Sequence, residues 1–199
     1  MSHSTQVTAI ILAGGQGSRM GGVDKGLVKF NGQPLIKPVV EAIAPHVDHL
    51  MINANRNLEQ YQALGYPVIS DAQNDYLGPL AGFLAAMKAA QTEELIFVPC
   101  DGPLLKGELM QRLLQARRDT QVEIAAAHDG KRLQPVYVTL LRNLADSLDA
   151  YLSSGERKID RWYAQHSYTQ VDCSDIQDCF ININTLEERN KLEQTRNSI

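Results

Sequence analysis

Four short apolar runs constrain the fold of this chain most: Val7–Leu12, His49–Asn53, 67–70 and 95–99. Each has the length of a strand, and none alternates cleanly between apolar and polar residues. Strands of that kind are buried on both faces, as happens in parallel sheets covered by helices. The stretches between them read as those helices: 36–47, 58–64, 79–90 and, after the fourth run, 108–117. In the last, Leu109, Met110, Leu113 and Leu114 recur at helical spacing. Alternating β and α segments predict an α/β fold with a doubly wound, mostly parallel, Rossmann-like sheet.

The second half reads differently. Residues 122–128 and 132–138 flank Asp129-Gly130, a hairpin signal. Leu140, Leu141, Leu144, Leu148 and Leu152 mark an amphipathic helix whose leucines pack into the core. Residues 167–171 and 178–183 look like further strands, and Thr185-x-x-Glu188 is a capping box that opens a final polar helix. A parallel core is thus followed by a short antiparallel addition. No linker separates the two, so residues 1–199 are expected to form a single domain, acting as a monomer.

A chain of 199 residues buries roughly 70% of its unfolded surface and needs neither disulfide nor metal to fold. Its net charge of -4 argues against nucleic acid or an anionic membrane as a partner. The N-terminus "MSHSTQV" does not resemble a targeting segment, and no apolar run approaches the length of a membrane span. Cys100, Cys173 and Cys179 form no CxxC pair and leave an odd count, which favours a reducing, cytoplasmic location. His46, His49 and His128 lack metal spacing with any cysteine and read as surface or structural residues.

The first run feeds into "LAGGQGSRMGGVDKGL", residues 12–27, with five glycines between Gly14 and Gly22. Two phosphate-binding patterns come close and fail. A Walker A loop needs GK[ST], but Lys25 stands between Asp24 and Gly26. The dinucleotide fingerprint started at Gly15 needs glycine where Met20 stands, and started at Gly17 it meets Arg19. A surface loop would explain the glycines but not Arg19 and Lys25 among them. Glycine-dense backbone lets N–H groups approach a phosphate, and two cations neutralise its charge. The segment therefore reads as a triphosphate cradle of another type.

In open α/β sheets, ligands sit outside the carboxyl ends of the strands. Here the second run ends at Asn53, the third leads to Asp71 and the fourth to Asp101. A single aspartate after a strand is usually a cap or a turn former. Polar groups at successive strand ends beside an anion-binding loop point to one rim.

With its Arg19-Met20 ending, that loop resembles the signature of nucleotidyltransferases. "NANR" at 53–56, "SDAQNDYLGPLAG" at 70–82, "PCDGP" at 99–103, "GER" at 155–157 and "NINTLEE" at 182–188 are similar, in order, to motifs of the molybdenum cofactor guanylyltransferase (MobA) family. The resemblance implies a nucleotide-diphospho-sugar-transferase-like fold and transfer of GMP from GTP to the terminal phosphate of molybdenum-bound molybdopterin. It also implies Mg²⁺, with cofactor-delivering and cofactor-accepting proteins as partners. Position by position, Leu12, Ala13, Gly14 and Gly15 would line the GTP site, with Lys25 on the phosphates and Asn53 and Asp71 as further contacts. Asp101 would hold the metal and touch the nucleotide, and Arg19, Lys25 and Asp101 would form the catalytic set. Gly78, Gly82, Arg157, Asn182 and Asn184 fall in motifs of the acceptor side. A GTP-binding half of about 1–105 would then be followed by an acceptor-side half of about 106–199. One departure is Gly102, where the family often has Thr; it is expected to change loop stiffness without loss of the metal site.

Nucleotidyl transfer needs positioning and charge stabilisation more than covalent chemistry. One aspartate suffices for a Mg²⁺ that also takes phosphate oxygens and water. A phosphate monoester, with a second pKa near ~6, is already ionised near neutrality and needs no general base. Of the basic residues Lys131, Arg132, Arg157, Lys158 and Arg161, most read as a solvated face, and Arg157 is the one expected to meet the acceptor. A CTP-dependent relative and a non-catalytic GTP- or cofactor-binding module remain as alternatives. Ala13-Gly14-Gly15 favours GTP, since cytidylyl relatives tend to carry Ala-Ala-Gly.

Overall fold

The computed structural model describes residues 6–15, 23–71 and 78–197. Its sheet is built from β1 (Val7–Leu12), β4 (His49–Asn53), β5 (Val68–Ile69), β6 (Glu94–Pro99), β7 (Ile124–His128), β8 (Leu133–Leu141) and β9 (Tyr168–Asp172). The strand order is β5-β4-β1-β6-β8-β7-β9. Only β8 runs against its neighbours, pairing antiparallel with β6 and β7, while β9 returns parallel to β7. The expected mostly parallel, doubly wound sheet is present, and its antiparallel addition comes down to this one reversed strand.

The missing alternation has the anticipated cause. Along β1, Ala9 and Ile11 face one apolar layer and Ile10 the other; along β6, Ile96 and Val98 oppose Leu95 and Phe97 in the same way. Helices α1 (Ile36–Ile43) and α4 (Gly107–Thr120) cover the first face with Val39, Ile43, Leu109 and Leu113. Helices α3 (Pro79–Ala89) and α5 (Ala145–Ser153) cover the second with Leu80, Phe83, Leu148 and Leu152. Phe83 stacks on Phe97, ring centroids 4.1 Å apart.

The structure departs from the sequence expectations in several places. Leu140 and Leu141 belong to β8, not to the helix: they pair with Leu95 and Glu94 of β6, and the helix starts only at Ala145. A β-strand longer than its turn signal suggested extends the leucine run across two elements. Residues 178–183 form no strand. Ser174–Phe180 winds as 3-10 turns that bury Ile176, Cys179 and Phe180. A short α6 (Ile159–Tyr163) was not anticipated; it buries Trp162 and Tyr163. Nor was the small hairpin of β2 (Lys29–Phe30) and β3 (Gln33–Pro34), although Asn31 and Gly32 at its turn both take the positive φ that such a turn requires.

The Asp129-Gly130 turn joins β7 to β8 as expected, with Asp129 Oδ1 accepting the N–H groups of Lys131 and Arg132 at 2.8 Å each. Helix α7 (Leu186–Asn197) opens on the expected capping box: Glu188 N–H donates to Thr185 Oγ1 and Thr185 N–H to Glu188 Oε2, both at 3.1 Å. Ile183 and Leu192 then pack on Phe30 and Leu35, so the C-terminal segment closes over the β2–β3 hairpin. Among the described residues no helix is long and apolar enough to cross a membrane.

Phe97 fills the centre of the second layer, fully buried. Phe97→Ala is expected to lower the free energy of unfolding by about 3–5 kcal/mol, read from chemical denaturation with an unchanged m-value.

Candidate active site

Register makes the rim. Leu12 of β1 lies opposite Asn53 of β4 on one side and Pro99 of β6 on the other. The ladder continues one step past the strands: Ala13 N–H donates to the Asn53 carbonyl at 2.8 Å and Cys100 N–H to that of Leu12 at 3.1 Å. Three segments therefore leave the sheet at one level. Over them opens a cleft of about 430 Å³ lined by Leu12, Gly14, Gly15, Asn53, Asp71, Gly78 and Gly82, together with Pro79, Pro99 and Val136. Seven residues expected at the site from the sequence thus share one cavity.

One wall is an amide–carboxylate cluster. Asn53 Nδ2 donates to Asp71 Oδ1 at 2.9 Å and Asn55 Nδ2 to Asp71 Oδ2 at 2.8 Å. Asn55 Oδ1 in turn accepts the Asp71 backbone N–H at 2.9 Å. Asn55 was not singled out in the sequence; its place in the NANR stretch, two residues past the strand end, was the available signal. Two glycines make room for these amides. A Cβ at Gly82 would fall 2.4 Å from Asn53 Oδ1, and one at Gly14 would fall 3.0 Å from Asn55 Nδ2. Gly82 lies inside α3, where glycine costs about 1 kcal/mol of helix stability relative to alanine, and the closeness of Asn53 accounts for it. Gly78, at φ +76, turns the chain into α3, which begins at Pro79.

The other side of the rim is charged. Lys25 Nζ lies 3.2 Å from Asp101 Oδ2 and donates to Asn184 Oδ1 at 2.7 Å. Asp101 is 8% exposed, and its Oδ1 is buried with no hydrogen-bond partner among the described residues. Burial pushes the Asp101 carboxyl above its ordinary range, and Lys25 pulls it back only in part. The C-terminal segment reaches this point through the main chain, Ile183 N–H donating to the Asp101 carbonyl at 2.9 Å. Asn182 accepts from the Tyr137 hydroxyl at 2.9 Å. That hydroxyl fills the space over Gly102, where a Cβ would stand 2.5 Å away. Tyr137 is buried, which raises its phenol far above the usual value and keeps it a donor. In this structure Gly102 leaves room for the Tyr137 hydroxyl.

The donor set suits a hard divalent cation. Asp101 keeps one unsatisfied carboxylate oxygen, which is what a metal completed by phosphate oxygens and water requires. No group of three or more His, Cys, Asp or Glu capable of holding a metal occurs among the described residues, so such an ion would have to arrive with its other ligands.

Ala13, Lys25, Asp101, Asn182 and Asn184 are not among the residues that line the cavity. Arg19 lies outside the described residues. Arg157 donates to the carbonyls of Leu152 at 2.7 Å and Glu156 at the end of α5, and is not among the residues that line the cavity. Arg132 and Arg161 stand near Asp129 and Glu156, at 3.8 and 3.7 Å. His46 packs over Gly107 at the start of α4, and His128 Nδ1 accepts the Gly130 N–H at 3.1 Å. Cys100, Cys173 and Cys179 are buried free thiols.

Comparison with known proteins gives a consistent picture. The MobA-like NTP transferase domain matches residues 9–171. Molybdenum cofactor guanylyltransferase from Shewanella loihica is 49% identical over 191 residues, covering 96% of this chain and 97% of the relative. The protein of the same name from Shewanella sediminis is 48% identical over the same shares. Among solved structures, molybdopterin-guanine dinucleotide biosynthesis protein A from Archaeoglobus fulgidus superposes with a TM-score of 0.80 at 22% identity, covering 98% of this chain and 100% of that one. CMP:2-keto-3-deoxy-manno-octonic acid synthetase complexed with CTP has the same fold, at a TM-score of 0.68 and 15% identity over 97% of this chain and 98% of that one.

Gly82→Ala tests the close packing of the amide wall. The methyl would displace Asn53, so GTP binding measured by calorimetry is expected to weaken at least about tenfold, a change of ~1.4 kcal/mol, while the melting temperature stays within a few degrees. Unchanged affinity would show that Asn53 does not serve the ligand.

Proposed function

This chain belongs to the MobA-like NTP transferase family, and on that premise we propose that it transfers GMP from GTP to the terminal phosphate of molybdenum-bound molybdopterin. The products are the guanine dinucleotide form of the cofactor and pyrophosphate. The observation that carries this reading is the cleft over the aligned ends of β1, β4 and β6, walled by the Asn53–Asp71 cluster, with the Lys25–Asp101 pair standing just past the end of β6 on the same rim.

In the reaction, an oxygen of the acceptor's phosphate bonds to the α-phosphorus of GTP while the bond from that phosphorus to the bridging oxygen breaks. The electron pair leaves with pyrophosphate. An ionised phosphate monoester needs no base to attack. Asn53, Asn55 and Asp71 can hold the nucleoside, since Asp71 presents acceptor oxygens to the N–H edge of a base. Lys25 would leave Asp101 for the phosphates, offsetting the charge that develops on the departing group. Asp101 and its free Oδ1 would hold Mg²⁺, which when bound supplies Lewis-acid stabilisation of the phosphoryl oxygens. Arg19, from its place in the loop motif, would add a second cation on the phosphates.

The acceptor is proposed to be met by Asn182 and Asn184, from the half of the chain after about 106, with Gly78 and Gly82 assigned to it on their motif alone. Asn182 and Asn184 support this by standing next to Gly102 and Lys25. Arg157 belongs to the proposal on its motif alone. A cytoplasmic location agrees with three free thiols.

Pyrophosphate release with molybdopterin-loaded acceptor, Mg²⁺ and each of the four NTPs is the direct assay. GTP alone is expected to support it, and Asp101→Ala is expected to abolish it while binding of guanosine persists. Activity confined to CTP would replace the guanylyl reading with a cytidylyl one. GTP binding without pyrophosphate release would favour a non-catalytic module.

A further inference from the structure

Asp24, the residue before Lys25, is a buried carboxylate, 5% exposed, with no part in the reaction described so far. It collects donors from the segment that leads into and forms α2 (Leu58–Gln62). The Tyr61 hydroxyl donates to Oδ1, Asn57 Nδ2 donates to Oδ2 at 3.0 Å, and Arg56 Nε stands 3.6 Å from Oδ2. Burying a carboxylate is costly unless it is paired and hydrogen-bonded. A loop that needed only to be folded could leave this residue in water.

Arg56 extends the network to the cleft. Its Nη2 donates to the carbonyls of Gly15 and Val23, both at 3.3 Å. Gly15 lines the cavity just past β1, and Val23 adjoins Asp24. One guanidinium therefore ties the cleft wall to the segment that carries Lys25. On the far side of Lys25, Gly26 lies against the same tyrosine: a Cβ there would fall 2.6 Å from the Tyr61 hydroxyl. The backbone of Lys25 is thus gripped before and after, while its ammonium reaches Asp101 and Asn184.

We propose that Asp24 and Arg56 are positioning residues for the phosphate half of the site. Acting as one unit through Gly15 and Lys25, they set where the ammonium meets the triphosphate of the bound nucleotide. The base half is held separately, by Asn53 and Asn55 on Asp71. The inference rests on reading the cleft as a nucleoside triphosphate site. It adds that the short stretch from the end of β4 onward serves both ends of that nucleotide, Asn53 and Asn55 the base and Arg56 the phosphates.

The two halves can be separated by comparing ligands. Calorimetric affinities for GMP and GTP with Mg²⁺ would be measured for the wild-type chain, Arg56→Met, Asp24→Asn and the double variant, each checked by thermal melting. Arg56 is partly exposed, so Arg56→Met is the variant expected to fold without difficulty. The wild type is expected to bind GTP more tightly than GMP. Either single variant should lose about tenfold of that preference with GMP affinity nearly unchanged, and the double variant should lose no more than the single ones. Equal losses for GMP and GTP would mark the pair as structural and overturn the proposal. So would an intact preference, or losses that add in the double variant. A wild-type chain that binds neither nucleotide would overturn the triphosphate reading and this inference with it.

Discussion

Parallel, in-register pairing of β1 with β4 and β6 is the constraint from which the rest of the site follows. It sets Leu12, Asn53 and Pro99 side by side, so three segments emerge from the sheet at one height. Two residues beyond each strand end stand Gly14, Asn55 and Asp101, brought together from positions far apart in the chain. A slip of one residue would turn each strand's side chains to the opposite face. It would bury Ile10 where Ile11 belongs and carry Asn53 away from Asp71. The two apolar layers prevent that slip, because each strand in the row is committed on both faces. The precision of the polar site thus derives from apolar packing some distance beneath it.

Above that rim, the later half of the chain supplies what the strands cannot. The Asp101 carbonyl is bound by Ile183, and Lys25 is shared between Asp101 and Asn184. The capping box at Thr185 and Glu188 fixes the start of α7 immediately after these residues, and Ile183 and Leu192 clamp the β2–β3 hairpin that follows Lys25. Lys25 is held from below by the Asp24–Arg56–Tyr61 network and from above by the C-terminal segment. A free carboxylate oxygen on Asp101, a cation beside it and a glycine-lined wall form an arrangement suited to a metal-bound polyphosphate.

Much of this was legible in the sequence because it is local. Apolar runs without alternation identified the sheet, Asp129-Gly130 the hairpin, and Thr185-x-x-Glu188 the last helix. The strand-end residues Asn53, Asp71 and Asp101 fell on the rim by a rule that depends only on parallel topology. What escaped depends on contacts made across the fold. Leu140 and Leu141 have helical spacing, but pairing with β6 draws them into a strand. Residues 178–183 look like a strand, yet they wind through 3-10 turns that bury Cys179 and Phe180 and then reach back to Asp101 through Ile183. Asn55, Asp24 and Arg56 sat inside recognised motifs, but their partners lie between 16 and 41 residues away. The Asn31-Gly32 turn was local and readable, and was missed because the strands beside it are only two residues long.

Lys25 and Asp101, paired in the free protein, are proposed to part when a nucleoside triphosphate and its metal bind. A crystal structure with Mg²⁺ and a GTP analogue that resists cleavage between the α- and β-phosphates tests it most directly. The nucleoside is expected against Asn53 and Asp71, with the Lys25 ammonium moved onto a phosphate oxygen and Asp101 turned to the metal. A nucleotide bound elsewhere, with the 3.2 Å Lys25–Asp101 contact unchanged, would contradict it.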